Sequence, residues 1–275
     1  TEIYTLSLHD ALPIYEWRST RAMSKLQGTV ASSSDSSSAS SSRSGSSYTR
    51  KNDENSAGVN TEETETDPFT RDNLIDPTTL TILPEYQEAF DQNNDMVGWI
   101  SIDDTVINYP VTQKANDNDY YLDHAFDKSE DSAGSIFMDY RSDAVNPTTN
   151  TILYGHNMKN DTMFGSVDNY LDEEYYNAHR TVHFDTIYEK RTYEVVAVCL
   201  AEVIYQDDNS YRYYNFIQAG NRAEWNAFVN HVNNLSVYDD HVDLTGSTPD
   251  EILTLSTCND YVQDGRLFLV AKRIA

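Results

Sequence analysis

A mainly β domain, a closed barrel of about eight short strands decorated by helices, is the fold that the sequence predicts for residues 80–275. Three observations carry it. Short runs rich in Val, Ile, Tyr and Phe recur from residue 97 to the end, separated by Asn, Asp, Gly and Pro turns. About eight such runs in roughly 195 residues fit one domain, and closure hides strand edges. No internal repeat competes with that reading.

The chain starts differently. Thr5 to Ile14 back-translates to a string similar to a sequencing adapter, so residues 1–14 read as a non-native, adapter-derived segment and are set aside. Residues 15–79 read as a disordered linker. Within it, residues 32–47 are Ser-rich and residues 51–79 are polar and mostly acidic, so there is little to bury. A tether of this kind fits a domain held off a membrane. The longest apolar runs, Val195–Ala201 and Leu267–Ala271, fall short of the ~18 residues of a membrane span. A membrane attachment is therefore expected only through an N-terminal anchor absent from this chain.

From Leu80 the pattern becomes periodic. Ile82-Leu-Pro-Glu-Tyr-Gln-Glu-Ala-Phe90 predicts a short helix, with Pro84 in its first turn and Leu83, Tyr86 and Phe90 on one face. Asn93-Asn-Asp95 ends it. Strands are expected at Val97–Ile102, Val106–Val111, Ser135–Met138, Thr151–Tyr154, Val182–Tyr188, Arg191–Ile204, Ile252–Thr257 and Leu267–Ile274. One helix is expected over Phe164–Tyr176. Another begins at Asn221, with Glu224 completing a capping box, and carries Trp225, Phe228, Val229, Val232 and Leu235 as a core-facing stripe.

Charge narrows the function. Lys and Arg number 19 against 45 Asp and Glu, a formal net charge of −26. Duplex binding depends on cationic contacts to phosphate, so nucleic acid is excluded as a partner. A polybasic membrane-surface role is excluded too. The charge suits cationic partners, among them an amine nucleophile.

The two cysteines differ in setting. Cys199 lies inside an apolar strand run and reads as a small buried hydrophobe. Cys258 ends the run Ile252-Leu-Thr-Leu-Ser-Thr-Cys258 and is followed by a polar turn, Asn259 to Asp264, so it is expected at a strand end. A nucleophilic cysteine needs a base or positive charge beside it. Gly265-Arg266 opens the next strand, and antiparallel pairing would set Arg266 beside the thiol, where it could stabilise a thiolate or an oxyanion. His156 follows an apolar strand and a glycine in Leu153-Tyr-Gly-His156-Asn-Met, a strand-end position suited to acid/base work. His179 and His183 stand four apart, but His183 opens a strand, so no metal pair is expected; no cofactor is expected either. His231 belongs to the polar face of the Trp225 helix.

These residues carry a resemblance. Thr254-Leu-Ser-Thr-Cys258, Leu153-Tyr-Gly-His156-Asn-Met and Gly265-Arg266-Leu-Phe-Leu-Val resemble three signatures of the sortase family, in its order and spacing. Ser256 in the variable slot, Val97-Gly-Trp-Ile100, Ile107-Asn-Tyr-Pro-Val111 and Asp117-Asn118-Asp-Tyr-Tyr-Leu122 resemble class B members. The resemblance implies a closed eight-stranded sortase-type β-barrel with N-terminal helices and one helix between the sixth and seventh strands. It implies a cysteine transpeptidase with Cys258 as nucleophile, His156 as acid/base and Arg266 as electrostatic partner, and Asn118 and Ser256 as substrate contacts.

The implied partners are surface proteins bearing an NPxTN-like or LPxTG-like sorting motif and a cell-wall peptidoglycan precursor amine. The implied location is the extracellular face of a Gram-positive-type cell membrane. Alternatives on the same scaffold are a pilin-polymerising sortase, a thiol protease or a non-catalytic peptide-binding module. Three features depart from a class B pattern or echo another. Asn259 follows the cysteine, Asp67-Pro-Phe69 resembles a class C lid motif, and Asn146-Pro-Thr-Thr-Asn150 resembles a class B sorting signal that is here expected to be a turn.

Overall fold

A computed structural model describes residues 74–202, 210–238, 251–259 and 265–275, together with the single positions 69, 71, 244 and 249. The adapter-like segment, the Ser-rich tract, Asp67-Pro68 and the turn at 260–264 lie outside the described residues.

Eight strands close on themselves: β1 (Met96–Ser101), β2 (Asn108–Thr112), β3 (Ile136–Met138), β4 (Asn150–Tyr154), β5 (Thr181–Thr186), β6 (Thr192–Glu202), β7 (Ile252–Asn259) and β8 (Gly265–Arg273). Their order around the barrel is β1-β2-β3-β4-β7-β8-β6-β5. Each predicted strand is present, most with ends displaced by one or two residues. The β2–β3 and β4–β7 pairs are parallel and the rest are antiparallel. A parallel pair needs a long crossover. Between β4 and β7 that crossover includes β5, β6 and two α-helices.

The wall separates two cores by strand alternation. Leu253, Leu255, Leu267, Leu269 and Ala271 face the barrel interior with Ile100, Val111, Leu153 and Phe184. Ile252, Phe268 and Val270 face a second apolar cluster outside the wall. A bulge in β6, where the register shifts between Val195 and Ala197, explains why Val196 and Ala197 both join that outer cluster. Cys199 belongs to it as well, fully buried, and burial pushes its thiol well above the ordinary range.

Helix α1 (Pro84–Gln92) closes one side of the barrel. Pro84 occupies its first turn, where a missing N–H costs nothing. Tyr86 stacks on Trp99 and donates to Asp185 Oδ2 at 2.6 Å. The single helix expected over Phe164–Tyr176 is instead two pieces: a 3-10 segment over Gly165–Leu171, then α2 (Glu173–Ala178). Asp172 divides them, because its extended backbone stops the first and its carboxylate caps the second by accepting from Tyr175 N at 2.9 Å. Helix α3 (Arg222–Leu235) lies between β6 and β7. Asn221 Oδ1 accepts from Glu224 N, while the Glu224 carboxylate accepts from Gly220 N at Oε2 and from the cap's own Nδ2 at Oε1. Trp225, Phe228, Val229 and Val232 are buried in the outer cluster, with Leu235 partly buried beside them. Phe69 packs against the same cluster under the Arg222 guanidinium.

Candidate active site

Three neighbouring strands bring the candidate residues to one end of the barrel. β7 pairs antiparallel with β8, and in that register Cys258 stands directly opposite Arg266. β4 runs parallel to β7 on its other side, with Tyr154 level with Ser256 and Gly155 N donating to Ser256 O at 3.3 Å. Two residues further along each chain are His156 and Cys258. The histidine just past β4 thus reaches the same height as the cysteine and arginine of β7 and β8, although it lies about a hundred residues before them in sequence.

His156 leaves β4 through Gly155, which has no room for a side chain. A Cβ there would lie 2.4 Å from Ile136 Cδ1 and 2.8 Å from the Phe164 ring. The imidazole is buried, with Nε2 2.6 Å from the Leu122 carbonyl oxygen. A carbonyl only accepts, so Nε2 carries the hydrogen and Nδ1 carries the lone pair of the neutral ring. Burial pushes the His156 pKa down; the Leu122 hydrogen bond and the nearby Asp123 charge pull it back only in part. The Arg266 side chain is half-buried, and its Nη1 donates to Gly265 O at 3.1 Å.

The two expected substrate contacts are already engaged within the protein. Asn118 uses both ends of its amide: Nδ2 donates to Asp139 Oδ2 at 3.1 Å and Oδ1 accepts from Tyr140 N at 2.9 Å. Ser256 is buried, with Oγ 2.7 Å from the Tyr213 hydroxyl, and the Tyr213 ring stacks on Phe268 at 3.9 Å. In the sorting-signal look-alike, Asn146 and Pro147 lie in a turn, as expected, and only the last residue enters the wall. Asn150 begins β4, donates from Nδ2 to Phe216 O and accepts at Oδ1 from Thr254 Oγ1. Thr149 Oγ1 accepts from Gln218 Nε2 and Ala219 N. His179 stacks on Tyr175, and His183 faces Thr192 and Asp103, so the two histidines have different surroundings.

Sequence reasoning passed over Asp139, one residue after β3. Its side chain is fully buried. Arg141 reaches it in a fork, Nε to Oδ1 at 2.8 Å and Nη2 to Oδ2 at 2.6 Å, and Tyr154 Oη donates to Oδ2 at 3.1 Å. Burial is the largest single influence on this carboxyl and pushes its pKa up, but the Arg141 and Tyr154 hydrogen bonds outweigh it and hold the group below the ordinary value. Only the position of a charged residue directly after an apolar strand hinted at this, and a surface turn has the same pattern.

The closed eight-stranded barrel, with Cys258 near the end of β7, agrees with the sortase resemblance. The family model described as the Sortase domain matches residues 100–274, and the chain belongs to the sortase family. Two curated relatives are sortase B proteins. Sortase B of Listeria monocytogenes is 34% identical over 209 residues, covering 75% of this chain and 80% of the relative. Sortase B of Staphylococcus aureus is 34% identical over 197 residues, covering 70% and 76%. Among solved structures, the Staphylococcus aureus sortase B–substrate complex superposes with a TM-score of 0.69 at 26% identity, covering 95% of this chain and 98% of that one. Sortase B from Bacillus anthracis in complex with AAEK2 gives a TM-score of 0.68 at 30% identity, covering 96% and 99%. The chain is therefore a sortase-type, class B-like transpeptidase.

Proposed function

We propose that this transpeptidase cleaves a C-terminal sorting motif of surface proteins after Thr and joins the new acyl end to a cell-wall peptide amine. The observation that carries the reading is the shared height of His156, two residues past β4, with Cys258 on β7 and Arg266 on β8. Cys258 passes its thiol proton to His156 Nδ1, and the resulting thiolate attacks the Thr carbonyl carbon. Arg266 holds the substrate and balances the negative oxygen of the tetrahedral intermediate. The C–N bond then breaks, and the leaving amine takes a proton from His156, giving a thioacyl-enzyme. An acceptor amine attacks that carbonyl, gives a proton back to His156 and expels the thiolate. The Leu122 carbonyl fixes the tautomer, so Nδ1 is the atom that exchanges the proton. Asn118 and Ser256 line the peptide site through the partners that hold them.

The substrates would be proteins with NPxTN-like or LPxTG-like motifs, and the acceptor a peptidoglycan precursor amine. Residues 80–275 form the catalytic unit in this reading, and residues 15–79 a tether to the outer face of a Gram-positive-type membrane. The relationship to a sortase B solved with its substrate supports a peptide ligand.

Mass spectrometry of the full chain with NPQTN-like and LPxTG-like peptides, with and without amines, tests the proposal. A thioacyl adduct on Cys258, lost in Cys258→Ala, is expected, and the preferred peptide and amine separate wall anchoring from pilin polymerisation. A folded enzyme that forms no adduct with either peptide refutes it.

A further inference from the structure

Asp139 ties together three segments that meet around the candidate site. Through Asn118 Nδ2 it holds the loop that leads to Leu122, whose carbonyl accepts from His156 Nε2. Through Tyr154 Oη it holds β4 two residues before His156. Through Arg141 it reaches the segment at Tyr214: the same Nη2 that binds Oδ2 also donates to Tyr214 O at 2.6 Å. The neighbouring Tyr213 hydroxyl meets Ser256, two residues before Cys258. Gln113 Nε2 donates to the backbone carbonyls of Asp139 and Ser142 and fixes the turn from below.

A fully buried carboxylate is costly unless its oxygens are satisfied, and here both are. Oδ1 accepts from the backbone N and Nε of Arg141; Oδ2 accepts from Arg141 Nη2, Asn118 Nδ2 and Tyr154 Oη. None of these bonds is needed to close the barrel, whose β3–β4 pairing is made by Phe137, Met138, Leu153 and Tyr154. What they do is set the loop and the strand on either side of the histidine.

We propose that Asp139 is a positioning residue for His156: its carboxylate locks the Leu122 loop and β4 to each other, and so fixes the direction of the imidazole. The inference rests on the reading of His156 as the acid/base. It assigns Asn118 and Tyr154 a second duty as the two arms of the clamp.

Asp139→Asn tests it in the full chain. The substitution keeps the shape but replaces one accepting oxygen with an amide NH2, a donor turned toward donors already in place. With the peptide turned over in the adduct assay, kcat is expected to fall by about 10²-fold, the cost of a misplaced catalytic group, while KM changes little. Followed by NMR, the His156 ring is expected to titrate at lower pH than in the wild type, because the Leu122 contact that favours imidazolium is loosened. A folded Asp139→Asn enzyme with wild-type kcat and an unmoved His156 titration overturns the inference, as does a change confined to KM.

If that variant does not fold, Tyr154→Phe, which removes one arm, is expected to lower kcat several-fold and move the titration in the same direction. A Tyr154→Phe enzyme unchanged in both overturns the inference. His156→Ala separates the two layers. Retained turnover in that variant defeats the acid/base reading itself, whereas lost turnover together with an unaffected Asp139→Asn defeats only the clamp.

Discussion

At the scale of single residues, Arg266 and His156 carry the sharpest expectations. Arg266 presents a planar fork, and a lysine ammonium cannot reproduce its two-point geometry. Arg266→Lys is expected to lower kcat by about 10²-fold, the range found when an oxyanion donor is lost, with thermal stability retained. Steady-state kinetics beside a melting curve checks this. His156 adds a pH term to stability. Its folded pKa lies below the ordinary 6.5 because burial disfavours the charged ring. Between the two values the unfolded chain binds more protons, so its contribution is fully present above 6.5 and is lost as pH falls through the folded value. Denaturant midpoints above and below 6.5 should separate less in His156→Gln than in the wild type. Much of this site was legible in the sequence: cysteine and histidine each end an apolar strand run, and arginine opens the next. Asp139 was not legible, because its importance lies in bonds to Asn118 and Tyr154, 21 and 15 residues away. Nor could the sequence show that Asn118 and Ser256 are already partnered.

At the scale of elements, Gly155 and α3 decide how the site is held. Gly155→Ala would press a methyl group into Ile136 and Phe164. It should cost about 1–3 kcal/mol, as overpacking does, and displace His156, so activity should fall further than stability alone explains. Urea denaturation and kcat measured on one preparation test both parts. Helix α3 is anchored by Trp225, which is fully buried and donates from Nε1 to Leu244 O at 2.9 Å. Trp225→Ala should cost about 3–5 kcal/mol through the cavity it opens, and a loss below 1 kcal/mol in denaturant titration would show that the helix does not support the fold. The α3 stripe was readable because helical spacing is a local property. The helix expected over Phe164–Tyr176 was overpredicted for a local reason too: its apolar spacing is helical, but Asp172 favours a cap over a helix interior. Strand ends were less legible than strand centres, since pairing across the barrel decides where a ladder stops. Asn150, a turn former by type, joins β4 because its side chain binds Phe216 O and Thr254.

At the scale of the whole molecule, closure must be secured away from the site as well as beside it. Arg191 does this from just before β6. Its side chain is only 2% exposed, pairs with Glu189 at 2.9 Å and lies 3.6 Å from Glu251, just before β7. Arg273, at the end of β8, bridges the same two acids, and Tyr193 Oη donates to Glu251 Oε1 at 2.8 Å. Three segments distant in sequence thus share one charge cluster. Its arginines and acids all look like surface residues in the sequence, which is why barrel closure could be expected while its fastening could not. A buried pair adds little over an apolar pair of the same shape, but removing one member strands the other. Glu251→Ala leaves Arg191 and Arg273 facing only Glu189, so a loss of about 3–5 kcal/mol is expected. Glu189→Ala removes a half-exposed partner and should cost less. Because the cluster is partly shielded from solvent, salt should narrow the difference between the two variants only slightly. Denaturant unfolding of wild type, Glu251→Ala and Glu189→Ala at low and high ionic strength measures all three. Equal losses in the two variants, or a Glu251 effect erased by salt, would mean that β7 and β8 are held by their apolar faces alone.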